Sequence, residues 1–210
     1  MIFFHLLFNL KEIYGYSISY NSGIYYYIGK ASVLLFIIIS AISCSFSRNN
    51  TRRAAKVLLV ALLITVVSHL YNPDFGIKFG ILHFLGVSIL LYPWIKNFNK
   101  YILAIAGTMI IILGQYFNRF PTNNNYLFLF NLTDSSWVSA DYYPLFPWFG
   151  VFLYGIALGK QLYPQKKSLF NHPPQHNVLG FVGQHTLSVY LIHQPVLLLA
   201  IEVYTKIVGH

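Results

Sequence analysis

The stretch GQHTLSVYLIHQPVLLLAIEVY, Gly183 to Tyr204, decides how this sequence is read. It is apolar enough to cross a bilayer, which takes about 20 residues at a rise of about 1.5 Å each. Yet it carries His185, His193, Gln194 and Glu202. Polar and ionisable groups are costly in hydrocarbon, so a span that keeps them turns them toward protein or a water-filled cavity.

The rest of the 210 residues share this character, with 56% hydrophobic, 18% aromatic and 9% charged residues. Soluble domains carry about 25% charged residues. Apolar segments recur at 1–13, 24–46, 57–71, 79–95, 101–117, 142–162 and 178–207. The reading is an all-α polytopic transmembrane bundle of about seven segments, organised as one domain over residues 1–210. No internal repeat is visible, and the single Cys44 excludes a disulfide framework or a thiolate metal site. The first segment, Met1 to Ile13, makes about 20 Å of helix and falls short of the roughly 30 Å hydrocarbon layer. It is expected to be a truncated first helix or a half-helix buried against its neighbours.

Net charge is +9, from 14 Lys+Arg against 5 Asp+Glu. In a soluble chain this would suggest nucleic acid. Here the cations sit in short gaps between spans, so they report topology and no nucleic-acid partner is expected. Arg48, Arg52, Arg53 and Lys56 lie in the gap SRNNTRRAAK, Lys96 and Lys100 in the next alternate gap, and Lys160, Lys166 and Lys167 in the one after. These nine cations outnumber the four in the opposite loops and at the C-terminal end: Lys11, Lys78, Arg119 and Lys206. The first set is therefore cytoplasmic, and 14–23, 118–141 and the C-terminus face outward.

Intramembrane polar residues are the candidate site. His5, Asn9 and Glu12 follow one another at i, i+4 and i+7, which puts them on one helix face. His83 stands near the outer end of the fourth segment, Asp141 opens the sixth, and His193 is placed in the outer half of the last. Pro195 frees a carbonyl about four residues earlier and can open a polar pocket beside His193. No HExxH is present and no cysteine neighbours the histidines, so no metal site is expected. A histidine with a nearby carboxylate can act as a base toward a hydroxyl or amine, or move protons in a transporter. Two function classes stay open on these residues alone: an acyl-transferring enzyme, and a proton-coupled transporter or permease of a small polar solute. The lack of paired halves counts against the second. Arg52, Arg53 and Lys56 can also receive the phosphates of a nucleotide-containing donor.

Four stretches carry a family resemblance: MIFFHLLFNL, FGILHFLGVSILL, DYYPLFPWFGVFLYGIALG and GQHTLSVYLIHQPVL. In this order, and over nearly the whole chain, they resemble the bacterial branch of the heparan-alpha-glucosaminide N-acetyltransferase catalytic-domain family. The resemblance implies acetyl transfer from cytoplasmic acetyl-CoA to a glycan or amino-sugar acceptor on the outer side of a bacterial inner membrane. The partners it implies are membrane lipid and that acceptor; a homo-oligomer is left open. The family usually has Asp-x-x-Arg-Gly ahead of the first Phe-His, a stretch absent here, in agreement with a shortened first helix. The histidine of the better-known eukaryotic members falls in the tract Gly15 to Gly23, which has no His. The expected catalytic residues are thus His5 first and His83 second, with Asp141 and His193. Glu12, Asn9, Trp148 and Gln194 are expected to bind substrate, and Arg52, Arg53 and Lys56 the CoA phosphates. Direct transfer and a covalent acyl-histidine are both open.

Overall fold

A computed structural model describes residues 2–12, 14–17, 22–71, 76–120, 122, 125–134, 137–139, 141–167, 180–181, 183 and 185–208. Among these the chain forms seven α-helices: α1 Ile2–Glu12, α2 Gly23–Cys44, α3 Asn50–Tyr71, α4 Ile81–Ile95, α5 Lys100–Phe117, α6 Leu145–Leu162 and α7 Thr186–Val208. A 3-10 turn, Phe128–Phe130, lies between α5 and α6. The chain is an all-helical membrane protein. Helices α2, α3, α5, α6 and α7 are long and apolar enough to span, whereas α1 and α4 are shorter apolar helices.

Two boundaries differ from the sequence reading. The third segment was expected to begin at 57 after a basic loop, but α3 begins at Asn50 and carries Arg52, Arg53 and Lys56 on its first turns. The reason is local: the Asn49 side chain accepts the Arg52 amide at 2.8 Å, satisfying an end donor. Ala54 and Ala55 then favour helix over loop. The last segment, read from 178 with room for an interfacial helix before Leu187, is divided: Gly180, Phe181 and Gly183 are helical, His185 is a turn, and α7 begins at Thr186. His193 is therefore about 10 Å from the start of α7. It sits in the helix's first half.

The chain forms two compact units, Met1–Leu35 with Phe170–His210, and Phe36–Leu169; α2 runs through the boundary. In the first unit α1 lies along α7. His5 meets His193, Asn9 meets Gln194, and the Tyr14 hydroxyl donates to the Leu198 carbonyl at 3.5 Å. Both numbers rise together, so the two helices are parallel. Five helices separate them in the chain. A bundle whose helices alternate in direction makes its first and seventh parallel.

The second unit is built on α3 against α4 and α5 against α6. Phe84, Phe152, Ile37, Ile81, Ile89 and Leu103 are its fully buried large side chains. Phe84 of α4 meets Phe152 of α6 edge to face, centroids 6.5 Å apart. Between α5 and α6, Gly107 and Gly150 bring the two backbones together. A Cβ on Gly107 would stand 2.9 Å from the Gly150 carbonyl oxygen, and one on Gly150 would stand 2.7 Å from Ile111 Cγ1. Small residues at such crossings substitute for the hydrophobic driving force that lipid cannot supply between helices. Non-helical backbone at the start of α4 is paired too: Phe79 bridges Tyr142, and the Tyr143 amide donates to the Phe79 carbonyl at 2.9 Å.

Candidate active site

The first unit gathers four of the expected residues. His5 and His193 face each other with ring centroids 5.0 Å apart and planes 58° apart. Asn9 is fully buried, and its Oδ1 accepts the Gln194 side-chain amide at 2.8 Å. The i, i+4 spacing on α1 turns His5 and Asn9 to the same neighbour. The adjacent positions His193 and Gln194 answer them from α7. The Glu12 side chain lies outside the described residues.

The hydrogen bond of His193 fixes its chemistry. Its Nδ1 pairs with the Tyr190 carbonyl. A carbonyl only accepts, so Nδ1 carries the hydrogen and, in the neutral ring, Nε2 carries the lone pair. That Nε2 is buried and has no partner among the described residues. The carbonyl used lies one residue before Leu191, whose own helical donor Pro195 removes. The proline expectation thus falls within one residue of the group that orients the imidazole.

His83 is placed differently. It is the third residue of α4, and its Nδ1 accepts the Gly80 amide at 3.2 Å. Nε2 must then hold the proton, and it donates to Thr65 Oγ1 of α3 at 3.2 Å. Both ring nitrogens are engaged, one in closing the first turn of α4 and one in tying α4 to α3. Thr65 and Gly80 were not singled out in the sequence; a threonine inside LLITVVSHL is the signal that was there.

Asp141 accepts the Ile81 amide at Oδ2, 2.9 Å, so it caps the same helix start as His83. Gly80 leaves the room for it, because a Cβ there would collide with Oδ2. Asp141 precedes α6, and burial pushes its carboxyl up to about 6 against the opposing pull of the Ile81 amide. Unfolded, the group would titrate near 3.8. Between those values the native chain binds the extra proton, so on this group's account stability rises as pH falls through that window and is lowest above it. Asp141→Asn keeps an oxygen for the Ile81 amide and removes the charge. Thermal unfolding in detergent is expected to show the variant melting higher than wild type at pH 7.5, with a flatter dependence between pH values of about 4 and 6. A variant that melts lower at pH 7.5 would show that the carboxylate is stabilising there.

The remaining expected residues are separate. Trp148 is half-buried with its ring 5.1 Å from that of Tyr143. On α3, Arg53 points its guanidinium at Ser40 Oγ, 3.4 Å, and Cys44 Sγ, 3.8 Å, on α2, whereas Arg52 and Lys56 are exposed. The three cations are thus one structural tie and two exposed charges a helical turn apart. Ahead of α4, Lys78 Nζ lies 4.6 Å from the centre of the Trp137 ring, and Phe128 stacks on that ring at 5.5 Å. Among the described residues no group of three or more His, Cys, Asp or Glu is arranged to hold a metal ion.

The chain is thus a helical membrane protein with imidazoles and carboxamides on facing helices. Residues 1–195 of the 210 match the heparan-alpha-glucosaminide N-acetyltransferase catalytic family, and the chain belongs to it. It is a membrane acetyltransferase, which decides between the enzyme and transporter readings in favour of the enzyme. No curated protein and no solved structure gives a significant match.

Proposed function

We propose that the chain, acting as a single transmembrane domain over residues 1–210, moves an acetyl group from cytoplasmic acetyl-CoA to a glycan or amino-sugar acceptor on the outer side of a bacterial inner membrane. The observation that carries the chemistry is the unpartnered Nε2 of His193 beside the His5 ring. In the proposed step, Nε2 takes the proton of the acceptor hydroxyl or amine. The acceptor atom forms a bond to the acetyl carbonyl carbon, the C–S bond breaks, and the CoA thiolate leaves and is protonated. His5 holds the reacting group against His193. The step is written as direct transfer; the same Nε2 lone pair would serve a covalent acyl-histidine.

The orientation set by the basic gaps supports the donor side. It puts the start of α3 in the cytoplasm, where exposed Arg52 and Lys56 can meet CoA phosphates while Arg53 holds α3 to α2. The same orientation puts the start of α7 in the cytoplasm. It puts the start of α4, with Asp141 and His83, on the outer side. Trp148 is the proposed aromatic surface for a sugar ring.

The test is transfer in inside-out vesicles, with radiolabelled acetyl-CoA outside and amino sugar or envelope glycan inside. Wild type is expected to label the enclosed glycan and His5→Ala to lose that label. Equal label in both would remove His5 from the site, and no label from wild type would defeat the proposed donor or acceptor.

A further inference from the structure

Helix α2 carries a charge on a face that α1 leaves open. The helix runs from Gly23 to Cys44, about 33 Å at a rise of about 1.5 Å per residue, which matches the hydrocarbon layer. In its first half one face is covered by α1. Phe3 meets Tyr25 with ring centroids 6.0 Å apart, and a Cβ on Gly29 would stand 2.6 Å from Phe4 Cδ2. Val33 continues that face and is buried. Tyr26, Tyr27, Lys30 and Leu34 lie off it and are exposed, Tyr27 at 70%.

Lys30 does not leave its ammonium at the depth of its own backbone. Its Cα is about 10 Å along the helix from Gly23. The side chain runs back toward the helix start, and Nζ stands 5.4 Å from the centre of the Tyr26 ring. Tyr26 is only about 5 Å along from Gly23. The charge is thus carried to the border of the hydrocarbon, where tyrosines gather and lipid headgroups begin. An ammonium with three donors, beside phenolic hydroxyls at the same depth, is suited to a phosphodiester. A phosphatidylglycerol headgroup brings a net negative charge to it, whereas the phosphate of a choline lipid is already answered by its own cation. Lys206 on α7 provides the contrast: its ammonium is held by Glu202 at 2.7 Å, so the pair offers no net charge.

We propose that Tyr26, Tyr27 and Lys30 form a binding site for the headgroup of an anionic phospholipid in the leaflet where α2 begins. By the orientation of the basic gaps this is the outer leaflet. Such a site depends on the membrane fold alone, whichever reaction the chain performs.

In the experiment the full chain in detergent is titrated with phosphatidylglycerol or phosphatidylcholine, and bound lipid is counted by native mass spectrometry. Wild type is expected to hold phosphatidylglycerol more tightly. Lys30→Gln is expected to weaken phosphatidylglycerol about fivefold, the size of one interfacial lysine's attraction to anionic lipid, and to leave phosphatidylcholine unchanged. Tyr26→Leu, which removes the ring beneath Nζ, is expected to weaken it about threefold. Lys30→Arg should keep the preference, and Lys206→Gln, the same charge change at a paired lysine, should leave it as in wild type. A preference that survives Lys30→Gln would overturn the proposal and give the lipid to other cations, such as exposed Arg52 and Lys56. Equal holding of the two lipids by wild type would overturn it as well. Loss of a dimer without loss of lipid in Lys30→Gln would assign the face to a second copy of the chain instead. Displacement of the lipid by inorganic phosphate would assign the site to a soluble anion; no displacement is expected. Should Lys30→Gln not fold, wild type is treated with phosphatidylglycerol carrying a photoactivatable headgroup. Crosslinks are expected between residues 23 and 34, and labelling confined to other segments would overturn the site.

Discussion

Replacing His193 with Asn is expected to lower acetyl transfer by about two to four orders of magnitude while leaving the fold in place. The choice of Asn follows from the geometry. Its Nδ2 can still donate to the Tyr190 carbonyl, the bond that His193 Nδ1 makes. What disappears is the buried lone pair on Nε2. A purely structural histidine would therefore tolerate Asn and suffer with Ala, which loses the bond to the carbonyl as well. A base would be lost in both. Melting temperature and turnover measured on the same preparations separate the cases. The expected outcome is a melting temperature close to wild type for Asn, a lower one for Ala, and near-absent turnover for both. The rising limb of the pH–rate profile is expected to vanish with the ring in either variant. By contrast His83→Gln is expected to reduce stability more than turnover, because both His83 nitrogens already hold backbone and Thr65. If Asn at 193 turned over like wild type and Gln at 83 did not, the assignment of the base would have to move to α4.

How far the sequence carried this site depends on the distance over which each argument runs. Helical spacing alone put His5 and Asn9 on one face, and their burial against α7 agrees. What they would meet there was not legible, since the partners are about 185 residues away in the chain and no periodicity links them. Tautomers were not legible either. The same residue type is a helix-end tie at 83 and an imidazole with a free lone pair at 193. The difference is made by which backbone group stands beside Nδ1, an amide in one case and a carbonyl in the other. Asp141 was read as a catalytic residue from its place at the start of the sixth segment; the bond it makes to the Ile81 amide was not legible there, and it forms because a helix start offers donors that a nearby carboxylate can cap. The seven apolar segments correspond to seven helices, and the errors lie at the polar ends. The start of α3 was misplaced because charge was taken as a loop signal, although Asn49 followed by two alanines is compatible with helix. Membrane length is a strong constraint on where a span must exist and a weak one on where its helix stops.

The second large effect is expected in a place with no chemistry. Gly150→Leu should prevent the second unit from forming its native packing, and even Gly150→Ala should cost about 1–3 kcal/mol. Neither cost comes from backbone freedom, since α6 is regular at this position. It comes from the facing α5 backbone, which a Cβ would meet at the Gly107 carbonyl oxygen, with Ile111 Cγ1 at 2.7 Å. Backbone atoms of a packed helix cannot turn aside as a flexible side chain can, so the helices must separate. Separation would also break the bond between Thr108 and the Tyr154 hydroxyl, 2.6 Å, which crosses the same pair of helices. That bond provides the control. Thr108→Val removes it without touching the glycine contact, and interhelical hydrogen bonds in membrane proteins contribute about 0.6 kcal/mol on average. Unfolding followed in mixed micelles should therefore rank Thr108→Val near wild type, Gly150→Ala clearly below it, and Gly150→Leu without a cooperative transition. A Thr108 effect as large as the Gly150→Ala effect would mean that polar bonding, and not backbone approach, holds α5 to α6. The ranking also bears on function, because α6 carries Trp148 two residues before Gly150 and meets α4, whose first turn His83 closes, through Phe152 and Phe84. Loosening α5 from α6 is thus expected to lower transfer only in step with the loss of folded protein, whereas His193→Asn lowers it in protein that melts normally.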